Sequence, residues 1–259
     1  MLARVVALIS VLLTSCAFAQ DAPQAAGPAG NEHPERNIVM RSGSAMSPFG
    51  PPMPDAAMDA AVKAAFAGMV DLGPLRDLAV LHNGRVKILD TLARETVSTL
   101  AGRSTFQDFI HHGETDIEKV NHDPLFTLLD MMIDPAFYAS EPLIHIEYLP
   151  LREAYLASAF PDDSEKRLRW KKVTRVSPAM IEAFSGRIFD AYGDSPAYRR
   201  GISRAERANE LFLFGVNNLL VIAPESKTDS WHHLAEAPAG SPVLAAAAEL
   251  GRCLGEVMP

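Results

Sequence analysis

The chain has 259 residues, 48% of them hydrophobic, and a formal net charge of −8. That is ample apolar content for an ordinary buried core. The acidic balance argues against a nucleic-acid binder, because such proteins need a basic surface to meet phosphates. Only two cysteines occur, Cys16 and Cys253, so a small fold stapled by disulfides is excluded.

The first twenty residues, MLARVVALISVLLTSCAFAQ, have the three-part order of a secretory signal. Arg4 is the positive start, Val5 to Leu13 form a short apolar stretch, and small residues follow. The run is shorter than the roughly 20 apolar residues a membrane span needs. Two processing routes are open. Ala17-Phe18-Ala19 fits an A-x-A cleavage site, whereas Leu13-Thr14-Ser15-Cys16 resembles a bacterial lipobox, which would make Cys16 the lipidated first residue of a lipoprotein. Both routes place the mature chain outside the cytoplasm, in the periplasm or anchored by lipid to a membrane. Residues 21–55, rich in Pro, Gly, Ala and Ser, bury little and are expected to form a disordered tether.

The folded part is expected from residue 56 onward as one mainly α-helical domain with a β-hairpin and short strands. Asp55 to Met69 reads as a helix with Val62, Phe66 and Met69 on one face. Two short apolar runs, 78–81 and 85–89, flank Asn83-Gly84, a pair that tolerates positive φ and suits a type I′ hairpin turn. In its second strand Arg85 and Lys87 alternate with Val86 and Ile88, which predicts a basic outer face with the apolar pair packed inward. Asp90 is the expected cap of a helix that runs to Ala101 and stops at Gly102, with Leu89, Leu92, Ala93, Val97 and Leu100 on its stripe.

Residues 103–122 are polar and His-rich and read as a surface loop. Asp123-Pro124 opens a helix to Asp134-Pro135, with Asp as cap and Pro in its first turn. Pro142 to Tyr148 alternates like a strand. The one dense basic segment, Lys166 to Arg175, reads as a solvated helix face or loop. Ser177-Pro178 opens a helix to Tyr192. Ser203 and Glu206 have capping-box spacing and predict a helix to Ile222. That helix holds LFLFGVNNLLVI, too short and too polar at Asn217-Asn218 to cross a membrane, so Leu211, Phe212, Leu219 and Leu220 are expected in the core. Ser241-Pro242 opens a last helix.

Candidate chemistry is sparse. His111-His112 and His232-His233 are adjacent pairs, and neighbouring side chains point in different directions, so no metal site is predicted. There is no H-E-x-x-H, C-x-x-C, G-x-S-x-G, Walker A or G-x-G-x-x-G pattern. No catalytic residue is assigned. Cys253 lies in an apolar helix and is read as inert core. Trp231 is expected to lie over the core or to present a binding surface.

Several blocks resemble one known family. The segment from Leu78 to Glu95 (LAVLHNGRVKILDTLARE) is similar to the "GR-x-K-P-hydrophobic-(D/N)-T" stretch in extracytoplasmic regions of system II cytochrome c biogenesis proteins of the CcsA/ResC type. Asp123 to Pro135, Phe137-Tyr138 and Pro142 to Ile146 resemble a second block of that region, in the same order. Pro224 and Trp231 resemble its end, so the likeness spans about Leu75 to Trp231. One departure is Ile88, which stands where the family usually has Pro. The resemblance implies a non-enzymatic accessory domain of cytochrome c assembly that docks on a membrane-embedded haem-handling protein, with apocytochrome c as a further candidate partner. It implies no cofactor of the domain's own: haem would be met only through a partner, since the family's Trp-rich motif has no counterpart here. Arg85, Lys87 and Trp231 are the candidate docking residues, and Cys16 the candidate lipidation site. The resemblance also leaves open whether the chain is a separately encoded piece of a larger machine. An independent periplasmic ligand-binding protein or hydrolase on the same scaffold is the alternative.

Overall fold

The computed structural model describes residues 48–49, 60–111, 117–224, 230–237 and 239–257. The signal, Cys16 and nearly all of the expected tether lie outside them. Within 21–55 only Pro48 and Phe49 are described, and Phe49 is a correction to the tether: it is buried in the core, with its carbonyl oxygen against Gly251. A Cβ at position 251 would stand 1.8 Å from that oxygen, so this contact requires glycine.

The described residues are mainly helical, as expected. In chain order they form α1 (Ala60–Met69), α2 (Gly73–Arg76), β1 (Ala79–His82), β2 (Arg85–Ile88), α3 (Leu89–Ala101), β3 (Phe106–His111) and β4 (Ile117–His122). Next come α4 (Pro124–Ile133), α5 (Pro135–Ser140), β5 (Ile144–His145), α6 (Leu149–Ala159), α7 (Ser164–Val173), β6 (Arg175–Val176) and α8 (Pro178–Tyr192). The chain closes with α9 (Pro196–Asn218), β7 (Val221–Ile222), β8 (His232–His233), a 3-10 turn at Leu234–Glu236 and α10 (Pro242–Val257). Among the described residues no helix is long and apolar enough to cross a membrane.

The β1–β2 hairpin turns at Asn83-Gly84, whose φ values of 51° and 70° are both positive, as a type I′ turn requires. The register pairs His82 with Arg85 and Ala79 with Ile88. Strand β1 also pairs with β7, giving a four-stranded antiparallel sheet in the order β2-β1-β7-β8. Helix α3 ends at Gly102, which takes the left-handed conformation with φ 68°. The His145 ring lies so close that a Cβ at Gly102 would stand 2.6 Å from its Cγ. Burial lowers the pKa of His145 from its ordinary value.

Expectations about three helices need correction. On α1, Lys63 is buried beside Phe66, while Met69 is exposed. Helix α3 begins at Leu89 after Ile88, so Asp90 lies inside the first turn and binds Arg76 and Arg94 instead of capping. Helix α9 starts at Pro196, one turn and more before Ser203, because Ser195-Pro196 supplies an extended residue followed by a ring pre-set for helical φ. It stops at Asn218, and the β-branched pair Val221-Ile222 goes to the sheet instead. Leu211 is half-buried, whereas Phe212, Leu219 and Leu220 are buried.

The largest correction is to the polar stretch 103–122, where Phe106–His111 and Ile117–His122 pair as antiparallel strands β3 and β4 with Phe106 opposite His122. Their inner face carries Phe106, Asp108 and His122, all buried. Two of those three are polar, so the alternation is masked in a hydropathy reading. The basic segment 166–175 is helix for most of its length, α7, capped by Asp163, whose carboxylate accepts from the Lys166 N–H at 2.7 Å. Asp123 and Ser177 cap α4 and α8 as expected. The strand expected over 142–148 shortens to β5, which pairs with β6.

Phe212 has no exposed surface and sits in the apolar core where α9 meets α3 and α4. Phe212→Ala is expected to lower unfolding free energy by about 3–5 kcal/mol in a urea titration. A loss below about 1 kcal/mol would contradict this packing.

Candidate functional site

Among the described residues, the densest polar chemistry lies in the core between α1, the β3–β4 hairpin, α4, α5 and β6. Lys63 points from α1 into that space and is 1% exposed. Its Nζ lies 2.8 Å from Asp130 Oδ2 on α4 and 3.1 Å from Asp134 Oδ2 at the α4–α5 junction. The Phe137 ring covers the ammonium at 4.5 Å and the Tyr138 ring at 5.5 Å. Tyr138 donates its hydroxyl to Asp130 Oδ2 at 2.8 Å. Burial raises the Asp130 carboxyl above its ordinary range in spite of Lys63, and raises the Tyr138 phenol well above 10. Asp134 serves twice, because its other oxygen accepts from the Phe137 N–H and starts α5.

Phe106 joins this group to a second one. Its ring lies 5.5 Å from Tyr138, 6.0 Å from His122 and 5.1 Å from the guanidinium of Arg175. His122 is held between Phe106 and Phe126, stacked against both, with Nε2 3.7 Å from Asp108 Oδ2. That separation exceeds hydrogen-bond reach. Arg175 donates from Nη2 to the Gln107 carbonyl at 2.5 Å, and burial pushes its pKa down to about 10. Asp108 Oδ2, both nitrogens of His122, Asp130 Oδ1 and Arg175 Nη1 have no hydrogen-bond partner among the described residues. The Phe106 ring thus touches His122, Tyr138 and Arg175, and Tyr138 links it to Asp130 and Lys63. No three His, Cys, Asp or Glu side chains among the described residues converge for a metal ion.

A second ionic clamp lies nearer the surface. Arg76 on α2 reaches Asp90 in α3 with Nη1 and Asp123, the α4 cap, with Nη2 at 2.8 Å. These hydrogen bonds raise the pKa of Arg76, and those from Arg94 and Arg76 lower that of Asp90.

The sequence-derived docking residues are not brought together. Arg85 and Lys87 lie on β2 at one edge of the sheet, and Trp231, half-buried, precedes β8 at the other edge. The basic-face expectation is also corrected. Lys87 turns back onto the body and pairs with Glu95 on α3, on the same face as buried Val80. Val86 and Ile88 point outward, 61% and 44% exposed, because the buried side of the hairpin is already filled by Val80 and α3. They form an apolar surface on a strand that pairs only with β1 among the described residues. His232 and His233 are half-buried and alternate across β8. Cys16 and the side chain of Cys253 lie outside the described residues, as does His112.

No protein-family model, curated protein or solved structure matches this chain.

The cluster is hard to read from the sequence. Lys63 shares a stripe with Phe66 at i, i+3, but a lysine in an Ala-rich helix reads as solvated. Asp130, alone among eight apolar or proline positions and one threonine in PLFTLLDMMI, was the available signal.

Lys63→Met removes the cation and leaves Asp130 and Asp134 buried without it. It is expected to cost about 3–5 kcal/mol in chemical denaturation. Adding Asp130→Leu to it is expected to restore at least about half of the loss, because the double change removes a buried charge together with its partner. A single-variant loss below about 1 kcal/mol, or no recovery in the double variant, would contradict the assignment.

Proposed function

We propose that this chain is a non-catalytic, extracytoplasmic accessory domain of system II cytochrome c assembly, which docks on a membrane-embedded haem-handling protein. What supports the reading is the placement of the two blocks that carry the resemblance. The first block supplies β1, β2 and α3; the second supplies α4, α5 and β5. Arg76 ties the blocks together through Asp90 of the first and Asp123 of the second. The residues that resemble the family thus build one packed platform, and among the described residues β2 is its unpaired edge.

Docking runs through the outer face of that edge. Exposed apolar side chains at Val86 and Ile88 are the kind of surface that a partner covers. A partner strand added to β2 would gain main-chain hydrogen bonds as well as this apolar contact. Ile88, where the family usually has Pro, keeps a backbone N–H in that strand. Export by the N-terminal signal, with Cys16 as an optional lipid anchor, brings the domain to the membrane that holds its partner. Haem is handled by the partner, and apocytochrome c is the client of the complex.

Deleting the gene is expected to lower haem-stained c-type cytochromes in membrane and periplasmic fractions at least severalfold, with restoration by a plasmid copy. Unchanged cytochrome levels would overturn the assembly role and favour the independent binding protein.

A further inference from the structure

Helix α7 stands out from the rest of an acidic chain. Its ten residues, SEKRLRWKKV, carry five cations and one acid, Glu165, and none of its residues is buried. The charges are segregated. Asp163 and Glu165 sit at the N-terminal end, where Asp163 is consumed as the cap, and the cations fill the remaining turns. Lys166 lies over the Phe160 ring at 4.3 Å and Lys171 pairs with Glu153 on α6, so these two hold the helix to the body. Trp170 packs on Phe160 from the same side. The outer stripe is Leu168, Arg169 and Lys172, all exposed, with Leu168 58% exposed between the cations. Arg169 has only a long contact of 3.8 Å to Glu165, and Lys172 makes no ion pair among the described residues.

We infer that this face of α7 binds the surface of an anionic phospholipid bilayer, with Arg169 and Lys172 on lipid phosphates and Leu168 in the headgroup–acyl boundary. Charge complementarity selects an anionic occupant: a local excess of cations persists on a chain whose net charge is −8. The exposed leucine selects a bilayer over an acidic protein. A convex helix with one apolar side chain ringed by cations offers no groove for a polypeptide, and it matches the interfacial helices that pair shallow apolar insertion with attraction to anionic lipids. The site rests on α7 alone and does not depend on the assembly role. A chain exported to the membrane surface would use it to fix which side of the domain faces the lipid.

The test is co-sedimentation of the full chain carrying Cys16→Ala, so that no lipid is attached, with vesicles of phosphatidylcholine alone or with about one third phosphatidylglycerol. Binding is expected only with the anionic vesicles and is expected to fall away in high salt. Each cation at such a surface is worth about a fivefold change in partition, so Arg169→Glu with Lys172→Glu is expected to weaken binding at least about tenfold. Both positions are exposed, and an unchanged circular dichroism spectrum checks the fold. Leu168→Ser is expected to weaken binding with the charge unchanged. No sedimentation with anionic vesicles, equal sedimentation with neutral ones, or indifference to either variant would overturn the assignment. Retention on immobilised polyglutamate without vesicle binding would assign α7 to an acidic protein and overturn it as well.

Discussion

The buried ammonium of Lys63 is the constraint around which the rest of this structure is arranged. Three charges, Lys63, Asp130 and Asp134, have been taken out of water together. Desolvating each costs several kcal/mol, and only close mutual contact offsets that. The fold meets the requirement by fixing the relative position of α1, α4 and α5 and by closing the aromatic faces of Phe137 and Tyr138 over the ammonium. A slip of α1 by one residue would withdraw the lysine and leave two buried carboxylates without their cation. The network thus specifies the seat of α1 more than it adds stability, since an apolar trio of similar volume would serve stability as well.

Phe106 carries the same logic outward. One ring is shared by Tyr138, His122 and the guanidinium of Arg175. The β3–β4 pair is therefore held by an aromatic and polar cluster. Arg76 does the equivalent work nearer the surface, where α2 touches both α3 and the cap of α4. Between them, these contacts connect α1, α2, α3, α4, α5 and the strand pair β3–β4, and among the described residues the outer side of β2 is left exposed.

Much of this was legible in the sequence where local chemistry decides local structure. Asn83-Gly84 admits few other turns, Gly102 ends α3 because only glycine fits its φ beside His145, and Asp-Pro and Ser-Pro pairs mark the starts of α4 and α8. Where tertiary contacts decide, the reading failed. Asp90 reads as a cap until Arg76 is seen to claim it. Residues 103–122 read as a loop because the buried face of their hairpin contains Asp108 and His122, which water-exposed segments also contain. The orientation of β2 depended on which side α3 occupies, information that no alternation within four residues can hold. The candidate site was less legible than the fold, since Lys63, Asp130 and Arg175 lie far apart in the chain and meet only after packing.

The docking role proposed for this chain rests on the outer face of β2 as the surface that meets a membrane-embedded partner. Site-specific photo-crosslinking in intact membranes tests it most directly, with a photoreactive residue placed at Val86 and, as a control, at exposed Phe189 on α8. Docking at β2 predicts one crosslinked species from position 86, identified by mass spectrometry as a multi-span haem-handling protein, and none of it from position 189. Equal capture at both positions, or no membrane protein captured from position 86, would contradict it.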